Sequence, residues 1–241
     1  MMVAKRFKAN FDIILERLSE LGYRHSWKVV NATDFGVGQN RRRLICVSVL
    51  GREPPMFPEP KGSFRPLRDY LEPSGAVPDS YFLTEERLKG VIWSSDKESG
   101  RGNGFRFQPC PPPTTGLQAQ STQNTDGRQT RTSLQIGMLM TYGLEMHNRV
   151  WSIDHASPTV TAAQGGGTMT KIAVPEGRTP VRELTPRECL RLMGFLDEEI
   201  DRIIGSYSKT RLRMFAGDAV VVDMFIGVLG SIYGEVADDA C

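Results

Sequence analysis

From Val220 to Tyr233 the chain carries one charged side chain, Asp223, in a stretch that otherwise reads as an apolar helix on nearly every side. Such a helix needs burial over most of its surface. This constrains the fold more than any other feature, because few other segments offer strands to cover it. Two apolar runs near the start, "SWKVV" and "LICVSVL", are β-branched and aromatic and are separated by an Asn, Asp and Gly cluster, which predicts a hairpin. Ahead of them Phe7, Phe11, Ile14, Leu15, Leu18 and Leu21 recur at helical spacing, and Gly22 stands where a left-handed residue ends a helix. The first and last segments therefore imply an α/β architecture whose helix has too little sheet to rest on, and uncovered apolar surface of that kind marks an interface.

The 241 residues suffice for one large domain or two small ones. Lys plus Arg number 30 against 28 Asp plus Glu, so any basic footprint is local rather than global. No apolar run approaches the roughly 18 residues that would span a bilayer, and the N-terminus carries no secretory pattern. Cys46, Cys110, Cys189 and Cys241 are far apart with no C-x-x-C pair. That spacing argues against a disulfide framework or a metal centre and fits a reducing cytoplasm. Cys110, among prolines with no base beside it, reads as a surface or packing residue rather than a nucleophile.

Composition divides the chain into three parts: 1–50, a middle part over 51–180, and 181–241. The middle part holds "GREPPMFPEPKGSFRP", "QPCPPPTTG" and "STQNTDGRQTRTS", which predict short elements joined by long loops suited to recognition. In the last part "LTPRECLRLMGF" predicts a helix capped by Thr185, with Pro186 at its first position, Glu188 completing a capping box and Gly194 closing it. A second short helix ends at Gly205, and a third starts from Asp218 as its N-cap.

Within "NATDFGVGQNRRRLICVSV" the alternation of a strand puts Arg41 and Arg43 on one face, Arg42 on the other, with Gln39 able to join the first. Two guanidiniums and an amide on one side form a fork for an anion or a carbonyl oxygen. "DFG", at Asp34 to Gly36, matches a kinase tripeptide, but no Gly-rich loop, strand lysine or H-R-D accompanies it, and Asp34–Gly38 reads as a turn. "SPTVTAAQGGGT" combines hydroxyl residues with Gly165, Gly166 and Gly167, a composition that lets backbone approach a polyanion.

The order of these pieces resembles the C-terminal half of a DNA (cytosine-5) methyltransferase. "NATDFGVGQNRRRLICVSV" resembles that family's eighth motif, the Q-x-R-x-R hairpin. "SPTVTAAQGGGT" resembles the end of its target recognition domain, "ELTPRECLRLMGFLDE" its ninth motif and "FAGDAVVVDMFIGVLGSI" its tenth. The resemblance implies the C-terminal part of an S-adenosylmethionine-dependent methyltransferase fold with an inserted, mainly β and loop, recognition domain. It implies that Arg43 bonds O2 of a cytosine rotated out of duplex DNA, with Arg41 and Gln39 orienting that side. Thr159 matches a threonine that meets the DNA backbone, and Thr161 with Gly165, Gly166 and Gly167 continues that loop. Asp218, Ala219 and Val220 fall where the family contacts the methionine moiety of S-adenosylmethionine, with Asp218 standing in place of the usual asparagine.

The family's Gly-rich cofactor loop, its Pro-Cys nucleophile in proper setting and its Glu-Asn-Val segment would all precede residue 1. The expectation is therefore a chain inactive alone, paired with an N-terminal methyltransferase subunit that carries the cysteine. A truncated remnant, acting at most as a sequence-specific DNA-binding module, is the alternative.

Overall fold

The computed structural model describes residues 7–93, 133–139, 148–162, 169–175 and 179–238. Helix α1 (Lys8–Glu20) buries Phe11 and Leu15 and ends as expected at Gly22, whose φ is +85°. Strands β1 (Tyr23–Asn31) and β2 (Arg42–Leu50) form an antiparallel pair in which Val30 faces Arg43 and Trp27 faces Cys46. The Trp27 face meets α1, where the Phe11 and Trp27 rings pack edge to face at 5.4 Å. Between the strands "ATDF" forms one 3-10 turn, closed by the Asp34 carboxylate accepting from the Asn31 amide at 2.9 Å, and Gly36 leaves it at φ +86°. The DFG tripeptide is thus a turn.

The middle of the chain is built of short pieces. After α2 (Glu85–Leu88) come β3 (Val91–Trp93), β4 (Gln135–Leu139), β5 (Arg149–Trp151), β6 (Lys171–Ala173) and β7 (Val181–Glu183). They form one sheet in the order β3-β4-β5-β6-β7, antiparallel except between β5 and β6. Leu83, Val91, Leu139, Val150 and Val181 make a small core of their own.

The larger core ignores the compositional divisions. Leu67, Tyr70, Val160, Ile172 and Val174 from the middle part pack with Val30, Phe35, Leu190, Leu212 and Met224. Helix α3 (Pro186–Arg191) carries the predicted capping box, and Gly194 follows it at φ +90°. Helix α4 (Asp197–Asp201) stops short of Gly205.

The helix expected to start at Asp218 does not start there. Asp218 is the last residue of α5 (Lys209–Asp218), which is capped instead by Ser208, whose hydroxyl accepts from the Arg211 amide. Only Leu212 and Ala216 of α5 are buried, so its apolar periodicity is faint in the sequence. Ala219 is extended (ψ 158°), and the chain re-enters helix as α6 (Val222–Asp238) once the Val222 amide has donated to the Met193 carbonyl at 2.9 Å. By length and apolar composition alone Lys209–Gly234 could cross a membrane, contrary to the expectation from single apolar runs, but α5 and α6 are distinct helices. Helix α6 is half covered. Met224 and Val228, with Val221 just ahead of the helix, are buried, whereas Phe225, Ile226 and Tyr233 are exposed.

Candidate DNA and base-pocket site

Gln39 and Arg41 lie in the connection from the 3-10 turn to β2, and both are buried. The Gln39 side-chain amide donates to the Leu192 carbonyl at 3.0 Å, and its oxygen accepts from the Val160 amide at 3.2 Å. Arg41 points its guanidinium at three carbonyl oxygens: Val160 at 2.8 Å, Gly217 at 2.6 Å and Ala219 at 2.9 Å. The fork expected for an anion or a carbonyl is thus filled by the protein's own backbone. Burial first, and then the nearby charge of Arg43, bring the Arg41 pKa down to about 10 against the opposing charge of Asp218. The guanidinium remains fully charged at neutral pH.

Arg43 differs. It is part-exposed, donates through Nη1 to the neighbouring Arg42 carbonyl at 2.9 Å, and has a pKa lowered by burial. A guanidinium has five N–H donors, so most of those on Arg43 remain for a ligand. Arg42, on the opposite face, is exposed.

The other expected site residues gather on the same turn. The Thr159 hydroxyl donates to the Asn40 carbonyl at 2.6 Å, and the Ser157 amide to the Gly38 carbonyl at 2.7 Å. Thr161 is exposed, with its backbone against α5: a Cβ built at Gly217 would lie 2.4 Å from the Thr161 carbonyl carbon and 2.0 Å from the Ala162 nitrogen. Only glycine permits that approach. Gly165, Gly166 and Gly167 lie outside the described residues, as does Cys110.

Asp218, Ala219 and Val220 sit at the α5–α6 break, with Asp218 and Val220 exposed. The carboxylate suits a cationic ligand group, but the Gly217 and Ala219 carbonyls are already taken by Arg41. A carboxylate there matches in charge an ammonium group such as the one S-adenosylmethionine carries.

Three contributors were not visible in the sequence. The Asn31 side chain accepts from the Arg41 amide at 2.8 Å and donates to the Asn40 side chain at 3.0 Å. The Tyr70 hydroxyl accepts from the Gly38 amide at 2.9 Å. Glu188, beyond its capping role, holds Arg182 through two bonds of 2.8 and 2.6 Å with both side chains fully buried, and accepts from the Glu72 amide. These residues are ordinary in type, and only the fold brings them to the turn.

One family model matches nearly the whole chain. Residues 1–233 fit the C-5 cytosine-specific DNA methylases. The chain belongs to that family. Among curated relatives of this methylase chain, the type II methyltransferase M2.ScrFI of Lactococcus lactis subsp. cremoris is 26% identical over 98% of the chain and 51% of its own length. M.NgoBI of Neisseria gonorrhoeae is 31% identical over 88% of the chain and 51% of its own length. The chain spans about half the length of these relatives. Among solved structures, the Entamoeba histolytica methyltransferase EhMeth matches with a TM-score of 0.57 at 14% identity, covering 94% of this chain and 58% of that one. The Spodoptera frugiperda DNMT2 mutant E260A/E261A/K263A matches at 0.59 and 12% identity, over 95% and 64%. The fold is that of these methyltransferases.

Proposed function

We propose that these residues form the target-recognising, pocket-closing part of a DNA (cytosine-5) methyltransferase of the restriction-modification type. In this reading an N-terminal partner carries the catalytic cysteine and most of the S-adenosylmethionine site. The observation that supports it most is the division of labour in the arginine triplet. Arg41 ties the turn to the Val160 loop and to the α5–α6 break, while Arg43, two residues on, keeps its donors. The three segments that the resemblance assigns to base pocket, DNA contact and cofactor are joined through one buried cation.

Arg43 then has a defined task. When a thiolate adds to C6 of an extruded cytosine, the ring gains negative charge, part of it on O2. A guanidinium held beside O2 stabilises that charge without titrating at neutral pH. The cofactor, when bound, supplies the electrophilic methyl group that C5 takes. In this reading the Thr159 loop, tied to the turn through the Asn40 carbonyl, meets the DNA backbone, and the five-stranded sheet with its long connections reads base edges.

The test is co-purification of the chain with the partner carrying the Pro-Cys motif, followed by transfer of labelled methyl groups to duplex DNA. The pair should be active and this chain alone inactive. Arg43→Ala in the pair should slow methylation by about a hundredfold or more while cofactor and DNA still bind; unchanged turnover would refute the role of Arg43. Methyl transfer by the chain alone would refute the division between partners. DNA binding without transfer in any pairing would leave only a recognition module.

A further inference from the structure

The segment from Lys61 to Tyr70 lies as a strap across the turn that feeds Gln39, Arg41 and Arg43. Its backbone is pinned there: the Lys61 amide donates to the Asp34 carbonyl at 2.8 Å and the Arg65 amide to the Gly36 carbonyl at 3.1 Å. Beyond it the Leu67 and Arg68 amides donate to the His155 and Ile153 carbonyls, both at 2.9 Å. The fit is tight. A Cβ at Gly38 would lie 2.4 Å from the Arg65 carbonyl oxygen and 2.6 Å from the Tyr70 ring, and one at Gly36 would meet the Lys61 Cδ at 3.3 Å.

Two exposed cations are fixed by this arrangement. The Lys61 side chain runs along Gly36. The Arg65 guanidinium stacks over the buried Tyr70 ring, 4.5 Å from its centroid, and its Nε donates to the Tyr70 hydroxyl at 3.3 Å. Both residues are exposed. Many surface cations elsewhere are neutralised: Lys8 by Asp12, Arg17 by Glu20, Arg24 by Glu53, Arg68 by Asp154, Arg191 by Asp197. Among the described residues Lys61 and Arg65 form no ion pair. Two unneutralised cations, held in register by backbone bonds and an aromatic platform, are preorganised for an anion that approaches this turn.

We propose that Lys61 and Arg65 form a contact site for the phosphodiester backbone of duplex DNA, separate from the Thr159 loop, with Tyr70 as the residue that positions Arg65. This rests on the DNA-recognising reading above. Phosphate contacts set the register of a protein on the duplex and carry no sequence information. The pair therefore fixes where the duplex lies relative to Arg43, while the sheet reads bases.

The experiment is a fluorescence-anisotropy titration of the full chain with a mixed-sequence duplex over a range of salt concentrations. Each neutralised phosphate contact contributes about one to the slope of log affinity against log salt. Lys61→Gln and Arg65→Gln should each reduce the magnitude of that slope by about one, with equal loss of affinity on unrelated duplexes. Tyr70→Phe, which keeps the ring and loses the hydroxyl, should give a smaller reduction. Arg17→Gln, which removes a paired cation, should leave the slope unchanged. Circular dichroism confirms that each variant is folded. An unchanged slope in folded Lys61→Gln and Arg65→Gln, with normal wild-type binding, overturns this site alone. Failure of the wild-type chain to bind duplex overturns the recognition reading and this site with it.

Discussion

Two regions that meet at Arg41 are finished in different ways. One is the buried polar girdle of Gln39, Arg41, Arg182 and Glu188, in which side-chain donors and acceptors reach backbone or one another inside the core. The other is β2 with the outer side of α6, where no residue of β2 is buried and Phe225, Ile226 and Tyr233 face out. These groups find most of their partners within this chain, with Nε of Arg41 and of Arg182 buried and unbonded among the described residues. The second region presents strand backbone, apolar side chains and the unused donors of Arg43 to whatever approaches. Within a run of three arginines, burial rather than residue type separates Arg41 from Arg43.

The largest effect should come from breaking the girdle at its fully buried ion pair. Glu188→Ala leaves Arg182 charged in the core without a counter-charge and should cost about 3–5 kcal/mol in urea denaturation. Replacing both residues by apolar ones of similar size should cost much less, which would show that the pair specifies geometry more than it supplies stability.

Next comes the comparison within the triplet. Arg41→Met strands one buried carbonyl and two part-buried ones and should cost about 2–3 kcal/mol, whereas Arg43→Met should stay within about 0.5 kcal/mol of the parent. Equal losses would erase the distinction between the two regions.

The smallest effect concerns two of the four cysteines. Cys46 on β2 is exposed; Cys189 in α3 is buried, and burial pushes its thiol up to about 12. Because the thiolate is the reactive form, alkylation mapped by mass spectrometry at mildly alkaline pH should label Cys46 in the folded chain and Cys189 only on unfolding. The raised value fixes the sign for stability. The Cys189 contribution is complete below its ordinary 9.0 and is lost as pH climbs from there toward about 12.

Local signals in the sequence located much of this architecture. Gly22 and Gly194 end their helices with positive φ, Thr185 and Glu188 form the capping box, and the two β-branched runs around an Asn, Asp and Gly cluster give the hairpin, because each depends on residues within a few positions. Helix α5 escaped notice because a polar surface helix with two buried residues leaves a weak period, and that omission moved the Asp218 cap to the wrong place. The partners of Arg41 were equally hidden: Val160 and Gly217 lie 119 and 176 positions away. Alternation could say which way the guanidinium points, but not that backbone carbonyls would be there to meet it.

The passage of Gly217 against Ala162, where a Cβ would lie 2.0 Å from the Ala162 nitrogen, has a practical consequence for anyone exchanging segments between relatives. Since Val160, Leu67 and Tyr70 all belong to the larger core, cuts made at the compositional borders would tear the scaffold along with the middle part. A graft confined between Pro73 and Ser152 would spare those residues but must rebuild the pairing of β5 with β6 and of Phe82 with Arg182.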